Sequence, residues 1–255
     1  MKRQRFAIAA RAALGLALAC PLVARAQDFE AQLSIDRLAY IEPGTYLAGD
    51  TVTFSLDSAG SNFLLRFAGS PETFVLYVDP ASLGGRILKY DSGETALKVT
   101  GWGGMTLYTD AAPQGLPAVR TGDSVAPAPD FVSVQAMQSA ASDESERLAY
   151  VRRLNIQFTA DWNALNDNAD MRAFAYDTME NAARGIERFS ASNAARDAFA
   201  KRIGSVAIKP ASRPTIALYG KTLVVTFNPG QGFVGRASSR AIARALGKLL
   251  QGSRR

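Results

Sequence analysis

Four basic residues near the C-terminus have the most regular spacing of any charged side chains in the sequence. They recur every four residues, an interval that places them along one face of an α-helix. These residues are Arg236, Arg240, Arg244 and Lys248. Such a face could bind an anionic lipid headgroup, another anionic component of the cell envelope or an acidic protein. The alternative is a helix that packs on the rest of the protein and leaves its basic face solvated, as most charge runs do.

A second candidate for ligand binding is Trp102, which lies in the glycine-rich segment 101–104. Glycines allow close approach of a ligand, and an indole offers a flat surface on which the ligand can stack. The alternative is a tight turn that needs positive φ angles beside a tryptophan of the core. Trp102 and the four basic residues are the predicted ligand-binding side chains.

Acidic residues are concentrated in segment 161–170, where Asp167 and Asp170 could supply carboxylate oxygens to a metal ion. Such oxygens bind calcium, but the spacing and the turn glycine of an EF-hand loop are missing. Asp161 fits the cap at the start of a helix. We therefore predict no metal site here and interpret the segment as a helix cap followed by a solvated face.

Several classes of catalytic site are excluded by what the sequence lacks. It contains no histidine and a single cysteine, Cys20, which rules out imidazole-dependent triads, histidine-ligated metals and an internal disulfide. Complete Walker A, Gly-x-Ser-x-Gly and Ser-x-x-Lys motifs are also absent. Chemistry with paired carboxylates remains, as in glycoside hydrolases. No catalytic residue and no cofactor is predicted.

Residues 1–26 have the anatomy of a secretory signal peptide. A basic start precedes an apolar stretch over residues 12–23, and the small-x-small site Ala24-Arg25-Ala26 follows. Cleavage between Ala26 and Gln27 would export the chain to the periplasm or the exterior of a Gram-negative bacterium. A lipoprotein attached through Cys20 is the disfavoured alternative, because the residues before it match a lipid-attachment site poorly. No later segment is long enough to span a bilayer.

The charge of the chain depends on this cleavage. The full sequence has a net charge of +6, but residues 1–26 hold five basic and no acidic residues, which leaves 24 basic and 23 acidic residues and a net charge of +1. Within the cleaved chain, residues 27–235 carry −5 and residues 236–255 carry +6. Nucleic acid is therefore disfavoured as a partner, and the basic C-terminus is the concentrated positive feature.

The sequence patterns predict an α+β fold, whose elements must position these residues. Alternating apolar residues and short turns over 51–109 predict an antiparallel meander sheet or a partial barrel. The proline-rich segment 110–130 is predicted as a long loop. Helical spacing follows over 131–203, with a cap near Ser142 and a long helix after Asp161. A hairpin over 215–227 and a final helix over 237–250 complete a single domain, residues 27–255, with a possible subdivision at 110–130.

Several short segments resemble an uncharacterised family of exported alphaproteobacterial proteins, a domain of unknown function. The similarity covers most of the cleaved chain and lies in residues 84–86, 90–94, 101–109, 117–120, 183–189 and 227–232. The resemblance implies export and a single domain. It implies no activity, ligand or catalytic residue.

Three functional hypotheses follow. The first is a non-catalytic exported envelope or periplasmic accessory or binding protein. The second is a carboxylate-dependent hydrolase acting on glycans, since such enzymes need no imidazole. The third is a peripheral membrane protein that docks through the basic C-terminal helix.

Overall fold

The N-terminal half of the structure, a computed structural model that describes residues 40–251, is a closed eight-stranded antiparallel barrel. Each strand pairs with its sequence neighbour, and β1 pairs with β8 to close the barrel. The strands are β1 Gly44–Ala48, β2 Val52–Ala59, β3 Asn62–Phe67, β4 Thr73–Pro80, β5 Arg86–Tyr90, β6 Thr95–Val99, β7 Met105–Leu107 and β8 Leu116–Gly122. The interior is filled by side chains, among them the fully buried Leu56, Leu65, Leu76, Leu88, Leu97 and Leu107.

Closure of the barrel corrects the sequence-based expectation of a partial barrel with a loop over 110–130. Residues 116–122 of that segment form β8, the closing strand. Few side chains of β8 are buried: Ala118 is the one buried residue of this strand, and most of its other positions are exposed. A strand with so little apolar alternation gives no period-two signal.

The C-terminal half combines helices with a four-stranded sheet of order β11-β12-β10-β9. β9, β10 and β12 are parallel, and β11 joins β12 in the predicted hairpin. The elements are α1 Val134–Arg152, β9 Gln157–Ala160, α2 Trp162–Asn166, α3 Ala169–Phe189, α4 Asn193–Arg202, β10 Ser205–Pro210, β11 Ile216–Tyr219, β12 Thr222–Phe227 and α5 Ser239–Gln251.

The helix boundaries are set by caps that only partly match the predicted ones. Ser133 caps α1, so the predicted cap near Ser142 is wrong and Ser142 lies inside that helix. Asp161 caps a helix as predicted, but the helix is the short α2, and Asn168 caps α3. The long helix predicted after Asp161 is confirmed as α3, whose apolar stripe buries Phe174, Thr178, Ala182 and Ile186.

The two ends of the barrel have different surroundings. Connections β3–β4, β5–β6 and β7–β8 lie at one end, named here the docked end, because Glu72, Asp91 and Asp110 from these connections bond to α5 or the residue before it. In an antiparallel barrel the intervening connections, β2–β3, β4–β5 and β6–β7, lie at the opposite end, the distal end. Among residues 40–251, no helix has the length and hydropathy needed to cross a bilayer.

Candidate ligand-binding cleft

The two halves are joined by a buried arginine in the segment before α5. Arg236 is 3% exposed. Its guanidinium group forms an ion pair with Asp177 of α3, donates a hydrogen bond of 2.8 Å to the carbonyl oxygen of Thr73 in β4, and stacks on the ring of Phe233. Arg236 therefore links the docked end of the barrel to the helices.

Two serines at the start of α5 bond to carboxylates of the barrel. The backbone N–H and the hydroxyl of Ser239 each donate to Glu72 at 2.7 Å. The same two groups of Ser238 donate to Asp91. Carboxylates at a helix N-terminus satisfy backbone N–H groups that have no partner within the helix and interact favourably with its dipole. Burial nevertheless raises the pKa of Glu72 and of Asp91, against the opposing effect of these hydrogen bonds.

Arg240, the second residue of α5, makes the next contact. It donates to Glu94 at 2.7 Å and to Asp110 at 2.9 Å, and its guanidinium carbon lies 4.5 Å from the ring centroid of Tyr90. Asp110 also pairs with Arg188 of α3. Burial alone would raise the pKa of Asp110, but hydrogen bonds and attraction from these two arginines hold it below its usual value.

These contacts border a cleft of about 490 Å³ between the docked end and the helices. Phe67 and Phe74 contribute aromatic surface from the barrel. Four guanidinium groups line the cleft, against two carboxyl groups, Glu72 and Glu187. The four arginines are Arg152 at the end of α1, Arg184 and Arg188 on α3, and Arg240 on α5.

Ion pairs hold the arginines of the cleft, but these pairs use only some of the N–H donors of each guanidinium group. Arg152 lies 3.4 Å from Glu187, and Arg184 lies 2.6 Å from Glu180, one turn earlier on α3. A guanidinium group has five N–H donors. The Nε atoms of Arg152 and Arg240 are buried without a hydrogen-bond partner among residues 40–251.

A second pocket, of about 660 Å³, adjoins the cleft and shares Arg188 and Arg240 with it. Its other lining residues include Glu94, Asp110 and Arg244. The two pockets together form a groove whose shared wall is basic.

The predicted ligand-binding residues are divided by the structure. Arg236 precedes α5 and is buried, and Arg240 lines the cleft with its side chain 11% exposed. Arg244 and Lys248 are exposed on α5. Trp102 is 89% exposed on a turn of the distal end, far in the barrel topology from the cleft. The expected single basic face is therefore not formed, because the segment before α5 turns into the core.

Arg152, Arg184 and Arg188 of the cleft were not among the predicted residues. Arg184 and Arg188 are four residues apart on α3, so their spacing was a usable signal of a shared basic face. Arg152 carried no such signal, since it joins them only through the packing of α1 on α3. In segment 161–170, Asp161 is a cap and Asp170 lies in the first turn of α3.

Comparison with known proteins gives a match to a protein family. The family described as "Domain of unknown function (DUF4908)" matches residues 29–246, a span that contains the barrel, the cleft and all but the end of α5. No curated protein matches the chain, and no solved structure matches it.

Proposed function

Because the chain belongs to the family described as "Domain of unknown function (DUF4908)", whose description names no activity, we propose a function from the cleft: a non-catalytic exported binding protein of the periplasm or envelope that takes a small anionic ligand. The match confirms the expected membership in an uncharacterised family, while export and an alphaproteobacterial origin stay predictions. The ligand class proposed is a compact molecule bearing phosphate or several carboxylates.

The convergence of four arginines on one cleft carries this proposal. They come from α1, α3 and α5, so only the folded chain brings them together. Guanidinium groups match the geometry of phosphate and carboxylate oxygens. The four side chains are between 11% and 39% exposed, so their charges are less screened than fully exposed charges. A volume of about 490 Å³ falls within the range of small-molecule sites, about 300 to 1,000 Å³.

Binding is favoured over catalysis by the state of the two carboxyl groups in the cleft. Both oxygens of Glu72 accept hydrogen bonds from Ser239, and Glu187 pairs with Arg147 and Arg152. A general acid or a nucleophile must reach the substrate, whereas these groups are engaged with the protein.

Calorimetric titration with inorganic phosphate and with citrate tests the binding site. We expect Arg188→Gln to weaken binding about tenfold, because one charge-assisted hydrogen bond is lost. Arg213→Gln removes the same charge from an exposed residue that lines neither pocket, and it should leave the affinity unchanged. Absence of binding by both probes, or equal affinities of the two variants, would refute the anion site.

A carboxylate-dependent glycan hydrolase is the second candidate. It is favoured by one observation: Glu72, whose pKa burial raises, lines the same cleft as Glu187. A raised pKa suits a general acid. The test is turnover of an envelope glycan by the wild type and by Glu187→Gln. Loss of turnover in a variant that still binds phosphate would support the hydrolase and refute a purely binding role.

Export and docking through the basic helix are tested by fractionation of the tagged chain. The residues of the predicted signal lie outside the described part of the chain, so the readout is the mature N-terminus, which should begin at Gln27. Deleting residues 236–255 is unsuitable, because α5 buries Ile242 and Leu246. Arg244→Gln with Lys248→Gln is the matched change. Salt-sensitive membrane association that this double variant loses would support docking through α5.

A further inference from the structure

Two large apolar side chains protrude together from the distal end of the barrel. Leu83, in the β4–β5 connection, is 90% exposed, and Trp102, in the β6–β7 connection, is 89% exposed. Their turns pack backbone to backbone, since a Cβ atom on Gly101 would lie 2.3 Å from the carbonyl oxygen of Leu83. Residues 82–85 and 100–103 are named here the distal tip.

Hydrogen bonds within each turn hold the distal tip in place. The N–H of Gly85 donates to the carbonyl of Ser82 at 3.1 Å, and the N–H of Gly103 donates to the carbonyl of Thr100 at 3.0 Å. The hydroxyl of Thr100 also accepts from the N–H of Gly104. The apolar side chains are therefore presented to solvent by two closed turns.

Leu83 has a backbone conformation that its side chain disfavours. Its φ and ψ are 55° and 37°, and Gly84 follows with a φ of 71°, as in a type I′ turn. The first central position of such a turn favours Asn or Gly. The fold alone would thus be better served by Asn at position 83, and an exposed leucine held in a strained turn points to a role outside the fold.

We propose that the distal tip inserts Leu83 and Trp102 into the interface of an anionic lipid bilayer. Tryptophan concentrates at the level of lipid headgroups, and leucine partitions into the acyl region below them. Both side chains are about nine-tenths exposed, so they can enter a deformable lipid surface without a preformed pocket on the other side.

The connections at the distal end carry positive charge, which complements anionic headgroups. The three distal connections, residues 58–62, 80–86 and 99–105, contain Arg86 and no acidic residue, and Lys98 is exposed beside the last of them. Asp79, which precedes the second connection, pairs with Lys89. Basic residues near an anionic surface contribute to membrane binding. The acidic residues near β1 and β8, Glu42 and Asp123, pair with Arg120.

The two tryptophans of the chain provide a local test, since Trp162 lies at the start of α2 in the other half. Full-length Trp162→Phe keeps Trp102 as its one tryptophan, and Trp102→Phe is the matched control. Each is mixed with vesicles of equal parts phosphatidylcholine and phosphatidylglycerol, with or without acyl-chain-brominated lipid. We expect bromolipid quenching and a shift to shorter wavelength for Trp102 only. Because quenching reports the position of each indole, the apolar N-terminal segment does not confound it.

Leu83→Asn, made in the Trp162→Phe background, separates a lipid contact from a structural role. It relieves the strained turn, so its thermal stability should equal or exceed that of its parent. We expect its apparent partition into vesicles, read from Trp102 quenching, to fall about tenfold, equivalent to about 1.4 kcal/mol of lost apolar transfer. Trp102 emission unchanged by vesicles would overturn the proposal. So would a blue shift that follows protein concentration without lipid, which would mark the tip as a contact between protein copies.

Discussion

Arg236 was predicted from the sequence as a ligand-binding residue, but its charge stabilises the fold. Its side chain is 1% exposed and pairs with Asp177. Burial raises the pKa of Asp177, and the charge of Arg236 opposes that shift. Neither group would be favourable in this place without the other, because a single buried charge loses its hydration and gains no partner.

We therefore expect Arg236→Met to lower the free energy of unfolding by about 3–5 kcal/mol, the usual effect of leaving one member of a buried pair. Urea unfolding measures the loss. Adding Asp177→Asn to this variant should restore part of the stability, since the isolated carboxylate is removed. A loss below about 1 kcal/mol, within the range of surface pairs, would contradict a buried linking role.

Glu72 predicts a pH dependence of stability. Burial raises the pKa of Glu72 from its usual value of 4.5, so the folded state binds this proton more tightly than the unfolded state does. Stability from this group is complete below pH 4.5 and is lost as pH rises from there through the raised pKa. Urea unfolding across that range should show this decline in the wild type and a flatter profile in Glu72→Gln. Parallel profiles would mean that the pKa of Glu72 is not raised.

At the level of elements, the crossing of α3 and α5 shapes the cleft. Gly185 lies between the cleft residues Arg184 and Arg188, and a Cβ atom there would lie 2.7 Å from Ile242 and 2.9 Å from the carbonyl oxygen of Ser239. Neither neighbour is a flexible chain end. A glycine at this position lets the two helices approach closely enough for Arg240 to reach the docked end.

Gly185→Ala should therefore destabilise the protein by about 1–3 kcal/mol through overpacking, even though alanine favours a helix. Gly247→Ala on α5 is the matched control, since a Cβ atom there meets nothing within 4 Å, and it should stabilise by up to about 1 kcal/mol. Thermal unfolding compares the two. A neutral or stabilising Gly185→Ala would show that the helices can separate without cost.

The sequence predicted those elements that have a clear periodicity or turn motif within their own residues. The β11–β12 hairpin, with Gly220 at a φ of +59°, and the buried stripe of α3 belong to this group. β9 does not: it has four residues, one of them buried, and its parallel partner β10 begins at Ser205, far along the chain. Within the cleft, periodicity pointed to Arg240, but no local pattern could reveal that α1 and α3 bring further arginines to the same place.

On the scale of the whole molecule, the barrel and the helical half have separate apolar cores, and polar bonds at the docked end connect them. The hydroxyls of Ser238 and Ser239 donate to Asp91 and Glu72 there. Buried carboxylates that lose a donor cost about 1–3 kcal/mol each. These polar bonds should therefore couple the opening of the two cores.

Replacing both serines, Ser238→Ala with Ser239→Ala, should uncouple the two halves. In the wild type, native-state hydrogen exchange of the most protected amides in β4 and α3 should report one common opening free energy, because both cores open together. In the double variant we expect α3 to exchange at a lower opening free energy than β4, since the closed barrel keeps its own ladder of hydrogen bonds. Ser61→Ala, at an exposed position of the distal end, should change neither value. Equal opening free energies in the double variant would mean that apolar contacts, rather than these polar bonds, couple the halves.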